Sequence, residues 1–359
     1  MIELVKPVKP NEKLLNQYLS QILETGFYTN NGPLAQLLER KLETLLGSNH
    51  ALFTSNGTVS LEIALKAIKA KGNIVTTPYS YVATANAANW IGLEVRFADL
   101  KKGTFFPDPA NIEALIDQNT SALLITQVYG MCGPIEEYRA IASKNNLPLI
   151  LDAAHAFGVL YKGSPVSSYG DLASYSFHAT KVFNTVEGGA ITTNNSEMKE
   201  RLFDLRAFGH RGDDYFSEGI NGKNSEVHAA FGLAQIDDVN VNLERRKKVF
   251  ENYMTGLNFK DFSPIFINKD LSWNYCYFPL VFQDCQYQEK LREHLLKNEI
   301  MSRRYFFPAL NTLPQFEKSS CPLAEDLANK VLCIPLHASL ELEKQQYIID
   351  VMNEFSQKG

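Results

Sequence analysis

Cysteine is scarce in this chain. Five occur in 359 residues (Cys132, Cys276, Cys285, Cys321 and Cys333), with no Cys-x-x-Cys pair and no histidine at metal-ligand spacing. A disulfide framework and a zinc site are therefore not expected, and reduced thiols in a cytosolic compartment fit best. An excess of basic residues is missing too. The formal net charge of -5 leaves no electropositive footprint for a nucleic-acid partner. Long apolar runs are also lacking. The stretch from Met1 to Leu15 alternates charge and proline where a leader needs uninterrupted apolar residues, and no later run is long enough to span a bilayer. A cytoplasmic protein with no membrane partner and no metal is expected. Neither a low-complexity linker nor an internal repeat interrupts the chain.

What is present is ordinary for a globular enzyme: 45% hydrophobic and 21% charged residues, in a chain long enough for a large domain plus a smaller one. From Leu52 to Thr193 short apolar runs alternate with amphipathic ones, which predicts a parallel sheet covered by helices. The expected strands are Ala51 to Thr54, Asn73 to Thr76, Glu94 to Phe97, Ala122 to Thr126, Pro148 to Asp152, Ser174 to Phe177 and Ala190 to Thr193. Helical patterns lie between them at Val59 to Lys69, Asn111 to Asp117 and Ile135 to Asn145. Beyond Asn194 helices dominate, and from Asp261 short strands and two further helices suggest an α+β unit. The expected division is a large domain over 1–245 and a small one over 246–359.

Three features carry chemistry, and all fall where strands end. Ser55-Asn56-Gly57-Thr58 follows a strand and opens a helix; glycine permits close backbone approach and the helix start offers unpaired N–H groups to an anion. The same four residues also read as a plain turn with a threonine cap. Leu147 to Asp152 is a buried-type strand closed by a carboxylate, which reads either as a helix cap or as the partner of a protonated ring nitrogen. Ser174 to Lys181 carries a lysine out of an apolar, hydroxyl-rich strand end, where partial desolvation frees the amine to attack a carbonyl. Phosphate-type loop, strand-end acid and flanked lysine follow in this order along one expected sheet edge.

Together with Asn30-Asn31-Gly32-Pro33, Pro78 to Thr84, Asp152 to Ala156, Ser176 to Lys181, Glu187-Gly188-Gly189-Ala190 and Ala229 to Gln235, these motifs give a resemblance. The chain resembles the DegT/StrS family of pyridoxal-phosphate sugar aminotransferases over nearly its whole length. That resemblance implies an α/β, aspartate-aminotransferase-like fold (fold type I): a mostly parallel sheet in an α/β/α large domain, followed by a smaller α+β domain. It implies that Lys181 anchors pyridoxal 5'-phosphate covalently and shuttles protons, that Asp152 holds the pyridinium nitrogen, and that Gly57, Thr58 and Ser176 bind the phosphate. Tyr81 takes the position that stacks on the ring, with a core tyrosine as its other reading. His155 stands where many members carry glutamine, placed to bond the phenolic oxygen. Asn224 is expected to reach the phosphate of the neighbouring subunit, which implies a homodimer with shared active sites.

By position, Asn31, His178, Arg303, Arg304 and Tyr305 are candidates for substrate contact, while Asn311 departs from the histidine that relatives often carry. The resemblance is strongest to the branch that uses L-glutamate to aminate C4 of dTDP-4-keto-6-deoxyglucose, a nucleotide-linked keto sugar, for O-antigen or related glycans. Amination at C3 of a 3-keto sugar is the alternative. Sugar dehydration is disfavoured, because members with that activity replace the lysine by histidine. A binding or regulatory protein on an enzyme scaffold is the reading from another class, against which the joint presence of Lys181, Asp152 and Ser176 speaks.

Overall fold

The computed structural model describes residues 1–265 and 267–358. Its centre is a seven-stranded sheet made of β1 (His50–Thr54), β2 (Asn73–Thr76), β3 (Glu94–Phe97), β4 (Thr120–Thr126), β5 (Leu149–Asp152), β6 (Leu172–Ser176) and β7 (Gly189–Thr193). Their order across the sheet is β1-β7-β6-β5-β4-β2-β3. The strands from β6 to β3 run parallel, whereas β7 is antiparallel to both β6 and β1. Every expected strand of this sheet is present, with each end within two residues of its expected place. The sheet is mostly parallel, as expected, and β7 is its one antiparallel strand. A run such as Ala190 to Thr193 is buried whichever way it points, so its residues carry no sign of direction. Direction follows from the connection: residues 177–188 contain no helix, so the chain turns back beside β6 instead of crossing over.

Among the described residues twelve α-helices surround this sheet and its smaller companion: α1 (Glu12–Thr25), α2 (Pro33–Leu46), α3 (Gly57–Ala67), α4 (Ala83–Trp90), α5 (Pro109–Leu115), α6 (Ile135–Lys144), α7 (Ser196–Arg206), α8 (Glu226–Leu233), α9 (Val239–Gly256), α10 (Cys285–Lys297), α11 (Pro322–Lys330) and α12 (Leu342–Lys358). Helices α1, α2, α4 and α11 had no counterpart among the expected elements. Helix α2 was nonetheless signalled, by Pro33 at its first position, leucines at helical spacing and Gly47 in a left-handed cap. Its amino end is capped from far along the chain. Glu226 of α8 accepts from the N–H groups of Leu34 (2.7 Å) and Ala35 (2.9 Å), placing a carboxylate at the positive end of the helix. Close by, Arg206 is only 2% exposed; it pairs with Glu39 of α2 and donates to the Phe53 carbonyl at 2.7 Å. These contacts tie α2, β1 and α7 together behind the sheet.

The second unit is an antiparallel sheet of β8 (Phe262–Pro264), β9 (Phe278–Phe282) and β10 (Val331–Ile334) backed by α10 and α11, with α12 packed on α10. Position 245, taken as the domain boundary, lies inside α9, which packs on α12. The first residues of the chain cross over as well: Met301 donates to the Ile2 carbonyl at 2.9 Å and Leu336 to that of Leu4 at 3.2 Å. Among the described residues no helix is long and apolar enough to cross a membrane, and no group of side chains is arranged to hold a metal ion.

Candidate active site

At the carboxyl ends of the parallel strands lies a cavity of about 630 Å³. Its floor comes from the large sheet. Helix α3 opens there with Asn56 as N-cap: the side chain accepts from Val59 N–H at 2.9 Å, so Asn56 and not Thr58 caps this helix, and Gly57 and Thr58 are left facing the cavity. Gly57 lies against β6 so closely that a Cβ on it would sit 3.0 Å from Ser176 Cβ. Gly189 is tighter still, since a Cβ there would fall 2.8 Å from the Gly57 nitrogen. Two glycines therefore let the helix start, Ser176 and β7 converge to one edge.

Asp152 closes β5 and is 5% exposed. No helix follows it. Instead its Oδ1 accepts from Ala154 N–H (3.1 Å) and its Oδ2 from the Thr84 hydroxyl (2.5 Å). Burial pushes this carboxyl above the ordinary range, while the Thr84 hydroxyl, the Ala154 N–H and the charge of Lys181 pull it back. A cation facing it from the cavity would further favour the anion.

Lys181 follows β6 in a tight turn in which its N–H bonds the His178 carbonyl at 2.9 Å. The turn is anchored on both sides by aromatic rings. Phe177 and Phe183 meet edge to face at 5.1 Å, and Phe157 stacks on Phe183 at 4.7 Å. The Lys181 ammonium has no hydrogen-bond partner among the described residues, and burial lowers its pKa, with the charge of Asp152 opposing. Less of its amine is thus held as ammonium than in a solvated lysine, and the neutral form is the nucleophile.

His155 lies over this floor with its Nδ1 buried and unpartnered. Its ring is parallel to Phe306 (centroids 5.5 Å, 6° between planes) and meets the edge of Tyr277 at 5.2 Å. Burial holds it well below the ordinary histidine pKa, with the Lys181 charge adding to the effect, so the imidazole is neutral. Asn274 fixes its backbone, donating to the carbonyls of His155 (2.7 Å) and Phe157 (2.9 Å).

The remaining wall comes from the second unit. Arg303 joins the edge of β10 through paired backbone bonds with Cys333 (3.0 and 2.8 Å), which brings Arg303, Tyr305 and Phe306 to the cavity beside Tyr277. Tyr81, 54% exposed, also lines the cavity and leans on Phe306, so it is not a core tyrosine. His178 lines the rim, bonded to Thr180 at 2.8 Å and 3.7 Å from Glu187.

Three candidates lie elsewhere in this chain. Asn31 accepts from Arg206 at 3.4 Å, outside the cavity lining. The Arg304 guanidinium stacks 3.7 Å over the Phe307 ring. Asn224 donates to the carbonyls of Thr54 (3.1 Å) and Glu187 (3.0 Å), behind the cavity edge. Asn311 is buried and bonded to Ser319 and Glu325. Sequence reasoning missed Thr84, Asn274, Tyr277 and Phe306. Only Thr84 carried a signal, through its place in the stretch from Pro78 to Thr84.

A strand-end acid, a lysine without a hydrogen-bond partner and a helix start converging on one cavity are what a Schiff-base enzyme with an anionic cofactor needs. Residues 10–353 match the DegT/DnrJ/EryC1/StrS aminotransferase family. This chain belongs to that family. The aminotransferase is 38% identical to the dTDP-4-amino-4,6-dideoxy-D-glucose transaminase of Shigella dysenteriae over 94% of both chains. It is 36% identical to the protein of the same name from Escherichia coli over 95% of both. Among solved structures it is similar to DesI crystallised in the presence of its TDP-sugar product, with a TM-score of 0.95 and 27% identity, covering 100% of this chain and 93% of that one. The family is pyridoxal-phosphate-dependent, and the aminotransferase's own residues fit the group. The orphaned Nδ1 of His155, the cradle at Gly57 that a Cβ would fill, and the unbonded Lys181 ammonium supply a polar contact, an anion site and an anchor.

Proposed function

We propose that this aminotransferase transfers the amino group of L-glutamate to C4 of dTDP-4-keto-6-deoxy-D-glucose, giving dTDP-4-amino-4,6-dideoxy-D-glucose. The observation that carries the reading is the convergence of Lys181, Asp152 and the α3 start on one cavity; the substrate is carried by 38% identity over 94% of a transaminase named for that product. When bound, pyridoxal phosphate supplies an electron-withdrawing ring that stabilises negative charge on the carbon bearing the transferred nitrogen. Asp152 holds the ring nitrogen in its protonated, electron-withdrawing form. Gly57, Thr58 and Ser176 hold the phosphate through the α3 N–H groups and the serine hydroxyl. His155 donates to the phenolic oxygen, and Tyr81 covers the open face. Lys181 Nζ anchors the group, takes the proton from the glutamate α-carbon and later delivers one to the sugar C4. His178, Arg303 and Tyr305 grip the nucleotide sugar, with the Arg303 guanidinium suited to a phosphate. Donor and acceptor use one site in turn, so the kinetics are ping-pong.

The enzyme acts as a cytoplasmic homodimer in which Asn224 serves the neighbouring site, and its product feeds surface polysaccharide synthesis. The test is the visible spectrum of purified protein with pyridoxal phosphate before and after L-glutamate, then with dTDP-4-keto and dTDP-3-keto sugars. A visible band that bleaches with glutamate and returns with the 4-keto sugar, and is missing in Lys181→Ala, is the expected result. Return only with the 3-keto sugar would overturn the regiochemistry. No visible band at saturating cofactor would overturn the enzyme reading and leave a binding protein.

A further inference from the structure

Of the stretch from Pro78 to Thr84, Tyr81 lines the cavity and Thr84 donates to Asp152. Ser80 and Thr84 bury their hydroxyls beside Asp152. Thr84 Oγ1 lies 2.5 Å from Asp152 Oδ2, Ser80 Oγ lies 2.7 Å from Thr84 Oγ1, and Thr126 Oγ1 lies 3.0 Å from Ser80 Oγ. All three hydroxyl residues are buried. Three elements bring them together. Thr126 and Asp152 are register partners at the ends of the parallel strands β4 and β5, Ser80 sits in the loop before α4, and Thr84 is in the first turn of that helix.

An ionised carboxylate can only accept, which sets the direction of the whole row. Thr84 must donate to Asp152, so Ser80 donates to Thr84, and Thr126 donates to Ser80 at 3.0 Å, with the Thr84 hydroxyl oxygen a longer second acceptor at 3.4 Å. Such a row polarises towards its end and strengthens the last bond. The other groups facing Asp152 are the Ala154 N–H at 3.1 Å, the charge of Lys181, and the neutral His155 on the same loop. Against them stands burial, which favours the protonated acid.

We propose that Thr84 is a positioning residue for Asp152, and that Thr126, Ser80 and Thr84 form a directed hydroxyl row which keeps that carboxylate ionised and fixed in orientation at the cavity. The proposal rests on Asp152 being the partner of the ring nitrogen. Without the row, the buried acid turns about its own side-chain bond and gains its proton at a higher pH.

The test measures the dissociation constant of pyridoxal phosphate against pH, by visible absorbance, in wild type, Thr84→Val, Thr84→Ser and Ser80→Ala. Circular dichroism of each cofactor-free protein checks folding. Thr84→Val keeps the shape and removes the donor; it is expected to weaken binding about tenfold to a hundredfold at neutral pH, the effect of one bond to a charged group. Its affinity should also begin to fall at a higher pH on acidification. Thr84→Ser restores the donor and should bind within about threefold of wild type, while Ser80→Ala should shift the pH profile the same way by less. Wild-type affinity and pH profile in Thr84→Val would overturn the proposal; if that variant does not fold, the same result in Ser80→Ala would do so. Failure of the wild type itself to bind pyridoxal phosphate would overturn the functional reading, and this inference with it.

Discussion

Replacing Gly57 by alanine tests the phosphate cradle without touching a polar side chain. The new Cβ would lie 3.0 Å from Ser176 Cβ, 3.3 Å from Ser176 Cα and 3.4 Å from the Tyr175 carbonyl oxygen. Ordinary carbon contacts are about 3.5–4.0 Å, so the first turn of α3 must move off β6 by several tenths of an ångström. Overpacking of this size costs about 1–3 kcal/mol, small enough for the protein to stay folded. The displaced groups are the Gly57 and Thr58 N–H groups and the Ser176 hydroxyl, which the proposed function assigns to the phosphate. Loss of one such charge-assisted bond is worth about 1.5–3 kcal/mol, or roughly tenfold to a hundredfold in affinity. The assay is titration of wild type and Gly57→Ala with pyridoxal phosphate and, in parallel, with pyridoxal, which lacks the phosphate. Binding of pyridoxal phosphate should weaken by at least about tenfold while that of pyridoxal changes little. Equal weakening of both ligands, or no change in either, would refute the placement of the phosphate at α3.

Two further outcomes follow from buried charge. Arg206→Met removes one partner of an ion pair whose arginine is 2% exposed and leaves Glu39 without its cation; urea unfolding should show a loss of about 3–5 kcal/mol, and a loss below about 1 kcal/mol would contradict the buried pairing. Burial, helped by the charges of Arg246, Lys6 and Lys344, pushes His337 down to about 4. The native protein therefore keeps this imidazole neutral, while the unfolded chain protonates it below about pH 6.5. The stability it contributes is complete above about pH 6.5 and is lost as pH falls towards about 4. The urea midpoint of the wild type should drop between pH 7 and pH 5, and drop less in His337→Gln; parallel profiles would show that His337 is not the group involved.

Much of the seven-stranded sheet was legible because buried strands of an α/β sheet read as short apolar runs, and the candidate site residues sit where those runs stop. Asp152, Ser176 and Lys181 could each be placed at a strand end from local sequence, and all three line one cavity. Helices α1 and α2 precede the alternating region that begins at Leu52, and α2 carries its proline, leucine and glycine signals locally. The wall of the cavity was not legible. Arg303 and Arg304 are neighbours of one kind in the sequence, yet one lines the cavity and the other stacks on Phe307. Nothing local separates them, since their directions follow from the pairing of Arg303 with Cys333 on the edge of β10.

By itself the sequence determined the strands and the order in which glycine, acid and lysine appear at their ends. It did so because hydrophobic period and turn chemistry are local, and because a strand-end position is a property of a few adjacent residues. The tertiary structure decided the rest: that β7 runs antiparallel, that Thr84 and Thr126 meet at Asp152 from separate elements, and that Asn274, Tyr277 and Phe306 close over His155 from the second unit. Those are contacts between segments from more than a dozen to well over a hundred residues apart. They exist only once the chain has buried its core, and no short window of sequence contains them.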